Sequence, residues 1–152
     1  MPSILFVCTA NICRSPMAMA LFRAKLGEQA DSWRVESAGT WAADGEPAHP
    51  KAQLAIAERG LDLSRHYSRS VSRELLRQFN LILTMEISHK EALRLEFPEI
   101  AARVHLLSEM VGQTFNILDP VGGSEQDFRI AAQDIDQIIS DGFERILQLA
   151  KD

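Results

Sequence analysis

Four short runs along the chain are predicted to form strands. Three of them are apolar at nearly every position, and the fourth carries Val35 just before the turn residues Ala38-Gly39-Thr40. Short runs that are apolar throughout are typical of strands buried on both faces of a sheet. The predicted strands are Ser3–Cys8, Arg34–Ser37, Leu81–Met85 and Val104–Leu107.

Longer segments with helical periodicity separate these runs. Ser15 is predicted to cap the first helix, Pro16 fits its first turn, and Gly27 fits its end. The last segment is the longest, and its apolar residues repeat at intervals of three and four. Strands that alternate with helices predict an α/β fold with a parallel sheet covered on both faces. The predicted helices are Met17–Leu26, Pro50–Glu58, Ser88–Glu96 and Gln126–Leu149.

The composition indicates an ordinary globular protein. Of 152 residues, 46% are hydrophobic and 24% are charged, so we expect a single domain spanning 1–152. The net charge of −5 disfavours nucleic acid and anionic membranes as partners, and any phosphate site must therefore be local. The apolar start lacks a basic leader, and no stretch approaches the roughly 20 apolar residues of a membrane span. With only two cysteines, a cytoplasmic protein is predicted, and we expect no cofactor.

Both cysteines lie in one loop between the first predicted strand and the first predicted helix. Open α/β sheets bind ligands at this place, where backbone N–H groups and the positive helix end can surround an anion. The planar guanidinium of Arg14 can hold two phosphate oxygens. The same surroundings favour the thiolate form of Cys8, to which Ser15 can donate a hydrogen bond. The loop therefore offers a nucleophile and an anion cradle, and phosphoryl transfer needs little else beyond a proton for the leaving group.

The segment 7–16, in which five residues separate Cys8 from Arg14, closely resembles the signature of the low-molecular-weight protein tyrosine phosphatase family. A bare Cys-x5-Arg spacing is common by chance, but this fuller string between a strand and a helix is specific. The resemblance covers nearly the whole chain and implies a four-stranded parallel sheet in the order 2-1-3-4, flanked by helices. Its further segments are Ser37–Thr40, His66–Arg69 and Asp119-Pro120.

The resemblance also implies a role for each of these residues. Cys8 would be the nucleophile, Arg14 the phosphate clamp and Asp119 the general acid, although an Asp-Pro pair alone also fits a simple turn. Ser15 would stabilise the thiolate. Asn11 and His66 would hold the loop by hydrogen bonds, although an isolated histidine is more often a packing residue. The implied phosphate-binding loop comprises Thr9, Ala10, Asn11, Ile12, Cys13, Arg14 and Ser15.

Cys13 has three interpretations. The resemblance implies a reversible disulfide with Cys8 that protects the nucleophile from over-oxidation. Passive packing is the second. A metal site shared with Cys8 is the third, but it lacks the additional Cys or His ligands that such a site needs.

Two features predict opposite substrates. Tyrosine-directed members commonly carry aromatic residues after the Asp-Pro pair, whereas Val121-Gly122-Gly123-Ser124 follows here. Together with Trp41, this pattern resembles a bacterial branch that includes protein-arginine phosphatases. Ile12, however, is the tyrosine-type residue, because arginine-directed members carry threonine at that position. Since Ile12 lies within the loop, we predict hydrolysis of phosphotyrosine in proteins or peptides, with inorganic phosphate as product.

Under this prediction, Ile12 and Trp41 would form walls for the aromatic ring, and a core position is the alternative for Trp41. Two other functions are less well supported. Arsenate reductases share the fold and loop but depend on further cysteines, and none follows Cys13. A phosphate-binding module without activity would need the cradle but neither Cys8 nor Asp119.

Overall fold

Four parallel strands form the centre of the computed structural model, which describes residues 1–151. Their order is β2-β1-β3-β4, which confirms the predicted 2-1-3-4 arrangement. In the register, Cys8 lies opposite Gly39, and Val7 lies opposite Thr84. The carboxyl ends of the three neighbouring strands therefore meet at one edge of the sheet. The strands are β1 (Ser3–Cys8), β2 (Arg34–Gly39), β3 (Leu81–Thr84) and β4 (Val104–Leu106).

Six α-helices lie around the sheet within residues 1–151, and both faces of the sheet are covered. The apolar side chains of β1 alternate between two cores, with Phe6 packing on the side of α1, α2, α5 and α6, and Val7 on the side of α3 and α4. Every residue of β1 is buried, as its continuous apolar pattern predicts. The helices are α1 (Arg14–Leu26), α2 (Pro50–Ala57), α3 (Arg73–Leu76), α4 (Ile87–Glu96), α5 (Glu125–Asp141) and α6 (Phe143–Ala150).

The predicted helix Gln126–Leu149 is wrong as a single helix, because the chain breaks at Gly142 into α5 and α6. A Cβ atom at Gly142 would lie 2.8 Å from both the Cβ and the carbonyl oxygen of Met110. The glycine thus allows the 3₁₀ segment Leu107–Val111 to pack directly against the junction. The apolar repeat continues through the break, and for this reason periodicity alone does not reveal it.

The first helix begins at Arg14, so the prediction that Ser15 caps it is also wrong. Cys13 occupies the N-cap position and makes no side-chain capping bond. Ser15 lies inside the helix, where its hydroxyl group contacts Cys8 and Asn11 instead. The predicted stop at Gly27 is confirmed, since Gly27 ends the helix with a φ of +58°.

No helix among residues 1–151 is long and apolar enough to cross a bilayer.

Candidate active site

The loop between β1 and α1 directs its carbonyl groups away from the space it encloses. From Cys8 to Ile12, every residue except Ala10 has a carbonyl oxygen that accepts a hydrogen bond from a neighbouring segment. Within residues 1–151, no group accepts a hydrogen bond from the backbone N–H groups of Thr9 to Cys13. Buried N–H groups are rarely left without an acceptor. The loop is therefore built to receive an anion. The carbonyls of Cys8, Thr9, Asn11 and Ile12 accept from Thr40 N, Trp41 N, His66 Nε2 and His49 N.

Asn11 holds this backbone conformation. It is the one described residue other than glycine with a positive φ, +59°, a region that asparagine tolerates better than most residues. Its Nδ2 donates to Ser15 Oγ at 2.8 Å and to Ser37 Oγ at 3.0 Å. Its Oδ1 accepts from Arg69 N at 3.0 Å, which fixes the orientation of the amide. One buried side chain thus joins the loop to α1, to β2 and to the segment around residue 69.

His66 supports the same residue from outside. Its Nε2 lies 2.8 Å from Asn11 O, and since a carbonyl can only accept, this nitrogen carries the proton. Burial lowers the pKa of His66, and the nearby charge of Arg69 acts in the same direction, against the opposing effect of the Asn11 bond. The neutral imidazole is sufficient for this bond. Asn11 and His66, the two residues expected to hold the loop, are thus joined to each other by a hydrogen bond.

Cys8 ends β1 at the floor of the loop, with its Sγ 2.9 Å from Ser15 Oγ. Ser15 Oγ already accepts from Asn11 Nδ2, so its own proton is available to donate. The alternative acceptor, Ala38 O, is more distant at 3.4 Å. The hydroxyl of Ser15 is thus oriented to donate to the sulfur, which stabilises a thiolate.

Gly39, at the end of β2, lets the loop approach the sheet. A Cβ atom there would collide with Thr9 O and would lie 3.1 Å from Asn11 N. No residue with a side chain fits without displacing the loop. This contact gives a physical reason for a glycine in the segment Ser37–Thr40.

Arg14 lies beneath the loop with only 1% of its side chain exposed. Its Nη1 donates to Glu86 Oε2 at 2.5 Å and to Ile117 O at 2.8 Å, and its Nη2 lies 3.3 Å from Asp119 Oδ2. Its Nε is buried and has no partner within residues 1–151. A buried donor without an acceptor costs about 1–3 kcal/mol, and Arg14 is one of the residues that line the pocket beside the loop.

Asp119 reaches the site on the segment that follows the 3₁₀ turn at 107–111. Ile117 N donates to Met85 O at 2.9 Å, which anchors this segment to the end of β3. Asp119 Oδ1 accepts from Val121 N at 3.1 Å, and its other oxygen faces Arg14. The side chain remains partly exposed. A pocket of about 230 Å³ brings these groups together, and it is lined by Cys8, Thr9, Ala10, Ile12, Cys13, Arg14, Asp119 and Val121.

This arrangement of a thiol, an anion-binding loop, an arginine and a carboxylate agrees with a family comparison. The family described as low molecular weight phosphotyrosine protein phosphatase matches residues 3–151. The chain belongs to this family.

Relatives within the low-molecular-weight phosphatase family carry two different substrate names. A protein-arginine-phosphatase of Bacillus subtilis (strain 168) is 34% identical over 137 residues, which are 90% of this chain and 91% of the relative. The low molecular weight protein-tyrosine-phosphatase Wzb of Escherichia coli (strain K12) is 40% identical over 126 residues, covering 83% of this chain and 82% of Wzb. A solved structure of a YwlE arginine phosphatase mutant with a phosphorylated active-site serine has a TM-score of 0.89 and 32% identity. It covers 99% of this chain and 97% of that chain.

Cys13 differs from Cys8 in its environment. Both cysteines are buried free thiols that line the pocket. Burial raises the pKa of Cys13 to about 12, and the negative charges of Asp119 and Cys8 act in the same direction against Arg14. Cys13 is therefore a neutral thiol at physiological pH. No group of three or more His, Cys, Asp or Glu side chains within residues 1–151 could hold a metal ion.

Ile12 and Trp41 lie on one side of the pocket. Ile12 is half-buried and lines both the pocket and a neighbouring groove of about 560 Å³. Trp41 lines that groove and is 84% exposed, which excludes the alternative of a core position. Val121 also lines the pocket and is exposed, in the segment where tyrosine-directed members commonly carry aromatic residues.

Sequence reasoning missed Glu86 and His89, which reach the loop from α4. Glu86 is the N-cap of α4 and contacts Arg14, and His89 Nε2 lies 2.8 Å from Thr9 Oγ1. Their positions in the sequence could have indicated them, because both residues follow the carboxyl end of β3. In the sheet, β3 lies beside β1, the strand that ends in Cys8. The rule that places ligands at this edge of a parallel sheet could have identified them.

Proposed function

We propose that this phosphatase hydrolyses phosphotyrosine in proteins through a cysteinyl-phosphate intermediate. The observation that carries the proposal is the single pocket that Cys8, Arg14 and Asp119 line together, with Arg14 Nη2 3.3 Å from Asp119 Oδ2. A passive phosphate-binding module would need the loop alone. The serine phosphorylated in the related arginine phosphatase mutant supports a phosphorylated side chain in the active site.

In the first step the phosphoryl group binds to the N–H groups of the loop and to Arg14. The thiolate of Cys8 attacks phosphorus, an S–P bond forms, and the bond to the leaving oxygen breaks. Asp119 gives its proton to that oxygen, so that a neutral phenol departs. The loop and Arg14 stabilise the charge on the three equatorial oxygens in the transition state.

In the second step water attacks the phosphocysteine. Asp119, now a carboxylate, takes a proton from this water, the S–P bond breaks, and inorganic phosphate and the Cys8 thiolate are regenerated. Ser15 holds the thiolate as leaving group through its hydroxyl bond. The cycle needs no cofactor, because every proton and electron pair is accounted for by Cys8, Asp119 and water.

Ile12 supports phosphotyrosine as the substrate. Its apolar side chain lines the pocket and can contact an aromatic ring, as can the exposed Trp41 beside it. Such aromatic contacts contribute about 1 kcal/mol, roughly a fivefold preference, so the preference need not be large. A protein-arginine phosphatase is the second candidate. It is favoured by the open Val121-Gly122-Gly123 loop and by the arginine phosphatases among the relatives.

Replacing Cys8 with Ser tests the intermediate. We expect the C8S variant to lose turnover of a phosphotyrosine peptide and of aryl phosphates, since a neutral hydroxyl is a far weaker nucleophile than a thiolate. Inorganic phosphate should still bind, which titration calorimetry can measure, because the N–H groups and Arg14 remain. Turnover by the native protein should persist in EDTA. Substantial turnover by C8S, or its loss from the native protein on chelation, would contradict a cysteine mechanism.

Replacing Asp119 with Asn tests the general acid. General acid catalysis contributes typically 10²–10⁴-fold, and it matters most when the leaving group is basic. We therefore expect D119N to slow phenyl phosphate by about 10²-fold or more and p-nitrophenyl phosphate much less, measured as kcat/KM, because kcat also includes the second step, which is the same for both substrates. Asp134→Asn is the matched control, since this exposed carboxylate of α5 lies outside the pocket. Equal losses of kcat/KM on both substrates would mean that Asp119 only stabilises the turn before Pro120.

Replacing Cys13 with Ser tests redox protection. We propose that peroxide first oxidises Cys8 and that Cys13 then closes a disulfide, a cycle suited to a reducing cytoplasm. The C13S variant should be inactivated as fast as the native protein, because neutral Cys13 does not compete for the oxidant. Its activity should recover less after thiol treatment, because sulfenic acid would progress to irreversible states. If the recovered fraction is the same for both proteins, Cys13 is not the resolving thiol.

Replacing Ile12 with Thr tests the substrate. A hydroxyl at this position could hydrogen-bond to the guanidinium of phosphoarginine while the Cys8 thiolate breaks the P–N bond, so I12T should shift the ratio of kcat/KM toward phosphoarginine peptides. Ile12→Val is the control, because valine has the shape of threonine without the hydroxyl. The native protein should prefer phosphotyrosine. A native preference for phosphoarginine would show that the Val121-Gly122-Gly123 loop decides the substrate.

A further inference from the structure

His89 is a buried imidazole that the proposed reaction does not use. Only 5% of its surface is exposed, and it lies on the first turn of α4, beside the loop. Burial lowers its pKa, against the opposing effect of Glu86, so the ring is neutral near physiological pH.

The hydrogen bonds of His89 define which ring nitrogen carries the proton. Nδ1 lies 3.2 Å from Glu86 N, a backbone donor, so Nδ1 accepts. Nε2 is then the protonated nitrogen of the neutral ring, and it donates to Thr9 Oγ1 at 2.8 Å. The bond spans 80 positions in the chain and connects α4 to the residue directly after Cys8.

A second connection runs from the same turn to Arg14. Glu86 is the N-cap of α4, and its side chain and that of His89 form a reciprocal capping box. Glu86 Oε2 in turn accepts from Arg14 Nη1 at 2.5 Å. The N-terminus of α4 therefore contacts the loop at both of its ends, through Thr9 at the start and Arg14 at the close.

The two sides of the loop are supported unequally. Asn11 has four partners from β2, α1, His66 and Arg69. Thr9, by contrast, has two partners within residues 1–151: its side chain bonds to His89, and its carbonyl accepts from Trp41 N. The Thr9 side therefore has fewer contacts, and His89 makes the one that involves its side chain.

We propose that His89 is a positioning residue of the phosphatase site. By fixing Thr9 and the capping carboxylate of Glu86 together, it holds the loop beside Cys8 and the plane of the Arg14 guanidinium in the geometry that a phosphoryl group requires. This inference rests on the proposed function for its kinetic part, but its effect on anion binding can be measured independently.

The decisive variants break the bond from either end. We expect His89→Leu and Thr9→Val each to weaken inorganic phosphate binding about tenfold, because the loop and Arg14 lose their support. Each should reduce kcat/KM for p-nitrophenyl phosphate by about 10²-fold, mainly in kcat, since small displacements of catalytic groups have effects of this size. The double variant should be no worse than His89→Leu alone, because Thr9→Val removes only the bond that His89→Leu has already removed.

Conservative variants should restore function. His89→Gln offers an amide with one acceptor and a donor, and Thr9→Ser retains the hydroxyl, so both should recover most of the phosphate affinity. Leu93→Ala is the control for stability, because it removes a buried side chain of the same helix that does not line the pocket. Leu→Ala in a core costs about 2–5 kcal/mol.

Three outcomes would overturn the proposal. One is a His89→Leu variant that melts earlier, as Leu93→Ala does, but keeps its phosphate affinity and kcat. Another is additive losses in the double variant. The third is no rescue by His89→Gln and Thr9→Ser.

If His89→Leu fails to fold, Thr9→Val tests the bond from the half-buried side. If the native protein binds phosphate but hydrolyses no phosphopeptide, the proposed function fails while the binding comparison still decides the role of His89.

Discussion

The backbone conformation of Asn11 is the constraint on which the rest of the site depends. Its positive φ turns the chain so that the carbonyls on both sides can bond outward and the N–H groups stay unpaired. If those carbonyls lost their partners, the loop could present oxygen atoms to the pocket and repel an anion. Three groups stabilise this one segment: the amide of Asn11, the imidazole of His66 and Gly39, which has no side chain to displace it.

The electrostatics of Arg14 explain how a protein of net charge −5 can bind a dianion. A buried guanidinium is tolerated because Glu86 and the carbonyl of Ile117 accept its bonds. These contacts also fix its plane, so little side-chain entropy remains to be lost when a ligand binds. Since Glu86 offsets the charge of Arg14, the N–H groups of the loop must provide much of the attraction. The attraction is local and does not depend on the overall field of the protein.

The parts of the fold that the sequence predicted are those set by local pattern. The apolar run of β1 and the helix end at Gly27 are determined by the residues around them, and the structure contains both. Gly142 interrupts the last helix through contact with Met110, a distant segment that periodicity cannot show. Ser15 looked like a cap because it precedes Pro16, but tertiary contacts with Cys8 and Asn11 engage its hydroxyl.

The distinction between local sequence pattern and long-range contact also applies to the site. Cys8 and Arg14 belong to one loop and could be found from their spacing. Glu86 and His89 join it only through long-range contacts, and Ile117 contributes a carbonyl oxygen that no side-chain motif can mark. Asp119 lies 3.3 Å from Arg14, a contact that the local sequence around the Asp-Pro pair could not predict.

The distance along the chain between Arg14 and Ile117 has a consequence for the order in which the site forms. Their hydrogen bond joins two residues that are 103 positions apart in the chain. In addition, β1 gains its two neighbours in the sheet only after β2 and β3 have formed. During synthesis Cys8 is made more than a hundred residues before Ile117, so Arg14 lacks this partner while that stretch of chain is added. Contacts of this range form late and slowly in folding. The contacts that surround Cys8 are thus a property of the finished sheet and are absent from the unfinished chain.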